Sequence, residues 1–83
     1  MRERDDILAS LAYWVAHYRR LHKLSQLELA VRAGVDTRQI GRIEQQANVP
    51  SVVLLYHIAE ALDISVNELL VPMPSAEREK KES

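Results

Sequence analysis

The chain has no cysteine and no phenylalanine, and only two glycines and three prolines among its 83 residues. Without cysteine, neither a disulfide framework nor a thiolate metal site can form. So little glycine and proline disfavours a sandwich or barrel, whose many turns consume those residues. No apolar run approaches the roughly 20 residues needed to span a bilayer, and no signal-peptide pattern opens the chain. A cytoplasmic protein without a membrane segment is expected. An excess of one charge sign is missing too: the formal net charge is −1. A dedicated nucleic-acid binder is usually more basic. The distribution is uneven, however, with basic residues in slight excess over positions 1–50 and acidic ones in excess beyond. Catalytic constellations are lacking as well. No Ser/His/Asp arrangement, paired carboxylates or glycine-rich phosphate loop stands out, and His17, His22 and His57 lack the spacing of metal ligands. The expectation is no enzyme, no metal and no cofactor.

What is present is a chain rich in leucine, alanine, glutamate, arginine and glutamine, which favours an all-α fold. A domain this short buries about 60–65% of the surface that its unfolded chain exposes, so it would gain from a partner. Periodicity and caps place five helices. The first runs from about Asp5 to His22, with Ile7, Leu8, Leu11, Ala12, Val15 and Tyr18 in a 3–4 spacing. Ser25 and Glu28 form a capping box for the second, which ends at Gly34 in the left-handed position. Asp36 opens the third, with Gln39 three residues on and Ile40 and Ile43 facing inward. Pro50-Ser51 starts a fourth that runs to about Leu62, and a Ser65/Glu68 capping box starts a short fifth that stops before Pro72. Tyr13, Trp14 and Tyr18 read as core and boundary packing on the first helix. Residues 1–72 are thus expected to form one domain and 73–83 a charged, flexible tail.

The stretch from Gln26 to Glu44 carries the functional signal. Only about three residues join the second and third helices, and small Ala30 sits where the two would cross. Gly34 supplies the turn and Val35 plugs the core beneath it, which is the pattern of a helix-turn-helix. With Ile40 and Ile43 inward, the 100° step per residue turns Arg38, Gly41, Arg42 and Gln45 outward, with Thr37 and Gln39 on the flanks. Arginine can bond bidentately to guanine O6 and N7, and glutamine can pair with adenine N6 and N7. Gly41 in mid-helix costs about 1 kcal/mol relative to alanine, and its place on this face would let the backbone approach a groove floor.

Over about residues 8–71 the chain resembles the Cro and phage-repressor helix-turn-helix proteins, the xenobiotic-response-element family. The matching residues include Tyr18-Arg19, Leu24-Ser25-Gln26, Leu29-Ala30, Gly34-Val35, Ile40, Arg42-Ile43-Glu44, Pro50-Ser51, Ile58–Leu62 and Ser65–Leu70. The resemblance implies that the helix at 36–46 enters the major groove of double-stranded DNA. It assigns base reading to Thr37, Arg38 and Arg42, a phosphate contact to Gln26, and a structural salt bridge to Arg19 and Glu44. Gln39 is added from its flanking position. The family commonly has glycine where this chain has Lys23, Gln46 and Asp63. Asp63 is the mildest departure, whereas Lys23 and Gln46 point to longer or differently ended helices. The 45–49 loop is less basic than usual, leaving Gln45, Gln46 and Asn48 for neutral phosphate contacts.

The fourth helix carries Val52, Val53, Leu54, Leu55 and Tyr56 in succession, more than one face can bury. Together with Leu70, Val71 and Met73 this predicts a homodimer through Val53, Leu54, Leu70 and Val71, denser packing within one subunit being the other reading. A two-fold dimer would set the recognition helices about 34 Å apart, on a palindromic operator. Two alternatives keep the same fold. One is a protein-interaction module with weak or no DNA binding; the other is an antitoxin-like protein that binds both DNA and a protein partner.

Overall fold

The computed structural model describes residues 3–77. Its elements are helices α1 (Arg4–Leu21), α2 (Gln26–Ala33), α3 (Thr37–Glu44), α4 (Val52–Ala61) and α5 (Asn67–Leu70). No strand occurs among the described residues, in keeping with the all-α fold that the composition favours. A further helical turn occupies residues 75–77.

Each helix begins and ends for a local reason. Asp5 and Asp6 lie in the first turn of α1 and Arg19 and Arg20 in its last, opposing the helix dipole at both ends. Complete capping boxes start α2 (Ser25 with Glu28) and α3 (Asp36 with Gln39), and the Ser51 hydroxyl caps α4. The Ser65/Glu68 box is only half formed. Glu68 accepts from the Ser65 amide at 2.8 Å, but the Glu68 amide donates to the Ser65 carbonyl at 3.1 Å and not to its hydroxyl. The α5 segment is too short to need more, opening on a tight turn at Val66.

The ends overturn one expectation. Lys23, Gln46 and Asp63 all take positive φ, at 58°, 59° and 60°, alongside Gly34 at 72°. Lys23 and Gln46 therefore do not lengthen or alter their helices; they hold the backbone that glycine would hold. The reason lies in the hydrogen bonds that close each end. The amides of Leu24, Val35, Ala47 and Ile64 reach back five residues to the carbonyls of Arg19, Ala30, Arg42 and Ala59, at 2.9–3.0 Å. This Schellman closure needs one left-handed residue, and the apolar residue after it (Leu24, Val35, Ile64) packs onto the core.

All five helices feed one core. Val15, Leu29, Ile40, Ile58, Leu62 and Leu69 are its fully buried large side chains. Packing pairs α2 with α3 and α4, and α1 with α3 and α5. The chain beyond α5 returns to α1: the Trp14 indole donates to the Val71 carbonyl at 2.9 Å, and the Met73 amide to the buried Ser10 hydroxyl at 3.2 Å. Met73 is itself buried. Packing thus continues one residue past Pro72, and residues 78–83 of the expected tail lie outside the described part. Trp14 and Tyr18 rest half-buried against the core, in line with the packing role expected for them.

Candidate nucleic-acid interface

The α2–turn–α3 unit is built as its sequence dictates. Ala30 is 1% exposed at the crossing, where a larger side chain would push the helices apart. The left-handed Gly34 reverses the chain, half-buried Val35 fills the space below, and Asp36 starts α3 two residues later. On α3, Ile40 and Ile43 are buried, which fixes the rotation of the helix about its axis. The opposite face is therefore turned outward: Arg38, Gln39, Arg42 and Gln45 are exposed, with Thr37 and Gly41 half-buried between them.

Four of the five residues expected to contact DNA come together. Gln26, Thr37, Arg38 and Arg42 line one shallow polar depression with Gly41 and Gln45. Gln39 stands apart, lining a second hollow with Arg42, Asn48, Pro50, Ser51 and Leu54 at the start of α4. Its side-chain carbonyl accepts from the Asp36 amide at 3.1 Å, so only its amide donors remain for a ligand. Gly41 has no internal reason to be glycine. A Cβ there would meet nothing nearer than the Gln26 Oε1 at 3.7 Å, an ordinary contact.

The expected Arg19–Glu44 pair forms, tying α1 to the end of α3. Arg19 Nε and Nη2 donate to Glu44 Oε2 and Oε1 at 2.7 and 3.0 Å, and its Nη1 donates to the Leu24 carbonyl at 2.9 Å. The side chains are 13% and 9% exposed, so the pair is shielded from solvent. The hydrogen bond to Glu44 pushes the Arg19 pKa further above its ordinary value, outweighing the burial that would lower it. The same carboxylate does a second job. Gln26 Nε2 donates to Glu44 Oε1 at 3.2 Å, which orients the Gln26 amide over Gly41. A three-residue network thus sets the geometry of one wall of the depression.

One contact lies outside what helical spacing predicts. Asp36, expected only as a cap, also binds the Arg38 guanidinium: Oδ2 accepts from Nη2 at 3.0 Å and Oδ1 from Nε at 3.3 Å. Hydrogen bonds from the Arg38 side chain, reinforced by the charges of Arg38 and Arg42, hold Asp36 below the usual carboxylate range. Helical spacing puts residues two apart on different faces. A cap residue lies outside the helix, though, and an Asp-x-Arg at a helix start was the available signal.

Among the described residues, no three His, Asp or Glu side chains converge as metal ligands, and no helix is long and apolar enough to cross a membrane.

Comparison with known proteins agrees with this geometry. The helix-turn-helix family HTH_3 matches residues 15–69. An uncharacterised HTH-type transcriptional regulator from Sinorhizobium fredii is 35% identical over 57 residues, covering 69% of this chain and 74% of that protein. Two solved structures share the fold. The restriction-modification controller protein C.AhdI from Aeromonas hydrophila is 32% identical, with a TM-score of 0.72 over 75% of this chain and 94% of its own. A hypothetical transcription factor from Neisseria is 28% identical, with a TM-score of 0.79 over 98% of this chain and 91% of its own. The residues 15–69 that match hold both motif helices, the turn and the buried anchors of α3, and the chain belongs to the helix-turn-helix family of DNA-binding transcriptional regulators.

Proposed function

We propose that the protein regulates transcription by placing α3 in the major groove of a specific operator. The observation that carries this reading is the polar depression of Gln26, Thr37, Arg38, Gly41, Arg42 and Gln45 on the outward face of the motif. Arg38 and Arg42 would read guanine edges, Thr37 and the free amide of Gln39 would add base or backbone contacts, and Gln26 would hold a phosphate. Gly41 would let the helix backbone lie close to the bases. The protein would act in the cytoplasm, and occupancy of the operator is itself the mechanism of control.

The regulator would bind as a homodimer. Val53, Val71 and Leu70 are 65%, 46% and 39% exposed in the single chain, with Val52 and Tyr56 on α4 also exposed, whereas half-buried Leu54 faces the hollow it shares with Gln39 and Arg42. A two-fold pairing there would place two recognition helices about one turn of DNA apart. A protein-interaction reading draws on a different patch, the exposed Leu27 and Val31 one turn apart on α2.

Selection from a random duplex pool at near-physiological salt, followed by sequencing, tests the proposal. A two-fold-symmetric enriched motif is expected, with one base position relaxed in Arg38→Ala at a cost of about 1–3 kcal/mol. Weak binding without enrichment, vanishing as salt rises, would transfer the case to the protein-interaction reading.

A further inference from the structure

We infer that Asp36 is a specificity-determining residue, holding Arg38 as a base reader and keeping it from serving as a phosphate clamp. The inference rests on the operator-binding reading above.

A helix cap needs only an acceptor, and serine or asparagine would serve as well as aspartate. The carboxylate of Asp36 does more than cap. Its Oδ1 accepts from the Arg38 backbone amide at 2.8 Å, while both oxygens bind the Arg38 side chain along its Nε edge. For fold stability this pair counts for little, because Arg38 is 78% and Asp36 48% exposed. Its effect falls on the guanidinium itself. The Nε–H and one Nη2–H are occupied, and the plane of the group is fixed by two bonds. The Nη1 donors and the outer Nη2–H remain as a fork at the tip, the geometry that meets guanine O6 and N7. A phosphate approaching the same arginine would meet the Asp36 carboxylate beside it. One negative charge at the edge of the interface therefore lowers affinity for DNA in general while sparing the contact that reads a base. That is specificity gained by repulsion. Arg42 lies in the same field, adding to the charges that keep Asp36 ionised.

Asp36→Asn keeps the cap and removes the charge. Asp36→Ser does the same with a smaller group, in case the first variant folds poorly. Each is compared with wild type, Arg38→Ala and the double variant, first by thermal melting. Each is then titrated against the unselected random duplex pool, the duplex that wild type enriches, and single-base-pair changes of it, at several salt concentrations. We expect an unchanged melt and several-fold tighter binding to the random pool. The salt dependence should steepen by about 0.9 in log–log slope, one extra phosphate contact. Discrimination at one base pair should fall about tenfold. In the Arg38→Ala background the Asp36 change should leave discrimination untouched. Unaltered slope and discrimination in the folded charge-removing variants would overturn the inference, as would the same loss without Arg38. A wild type that enriches no sequence would overturn the operator-binding reading instead.

Discussion

Gly41 and Glu44, one turn apart on α3, show residue identities set by different demands. Gly41 is unfavourable for a helix, and the neighbouring Gln26 leaves room for a methyl group. Its reason has to come from outside the subunit. Gly41→Ala should stabilise the free protein by about 0.5–1 kcal/mol in urea unfolding while weakening operator binding. A variant that gains stability and binds unchanged would remove Gly41 from the interface. Glu44 answers an internal demand. It accepts from Arg19 at 2.7 Å and from Gln26 at 3.2 Å, so its loss strands a shielded guanidinium and frees the Gln26 amide. Glu44→Ala should cost about 2–4 kcal/mol, measured by the same denaturation. An effect below 1 kcal/mol would show the pair to behave as an ordinary surface contact. The Arg19–Glu44 pair was legible in the sequence through the family pattern. The Gln26 link was not, because an amide at a helix start carries no spacing signal for a carboxylate 18 residues on. Asp36 was hidden differently: a helix start calls for an acceptor of its kind, so the residue type carries no mark of its side-chain partner.

The helices are more legible than their ends. Capping boxes at Ser25 and Asp36 announce α2 and α3 because the bonding groups lie three residues apart and compete with nothing else. Termination is harder to read, since Lys23, Gln46 and Asp63 take up a conformation that their side chains do not favour. The hydrogen bonds that close each helix end demand it, and at Lys23 and Asp63 tertiary packing adds to the demand. Each Schellman closure turns the chain so that the next element can begin, and Leu24 and Ile64 are drawn into the core just afterwards. A left-handed non-glycine residue costs about 1–2 kcal/mol, partly offset by the greater unfolded-state freedom of glycine. Lys23→Gly and Gln46→Gly should therefore each stabilise the fold by about 0.5–1 kcal/mol in thermal unfolding, and Asp63→Gly by less. A fall in melting temperature for either of the first two would contradict this account of the helix ends. Equally hidden in the sequence were the bonds from the Trp14 indole to the Val71 carbonyl and from the Met73 amide to the Ser10 hydroxyl. They span 57 and 63 residues, and local periodicity carries no information at that separation.

At the scale of the whole molecule, a single small core leaves a band of apolar surface on α4 and α5. Its exposure in the single chain is the physical argument for a dimer. Sedimentation at tens of micromolar should give a dimer for wild type and a folded monomer for Val53→Glu, which places a charge in the band. A wild-type monomer at that concentration would sink the dimer. The same core orients everything else, because Ile40 and Ile43 cannot be buried without turning Arg38 and Arg42 outward. Backbone amide chemical-shift mapping during titration with the enriched duplex reads out that orientation residue by residue. The largest changes should fall at Gln26, along Thr37–Gln45 and near Ser51, with Leu27, Val31 and the α4–α5 band little affected. Changes centred on Leu27 and Val31, with the amides of Thr37 to Arg42 unmoved, would contradict it.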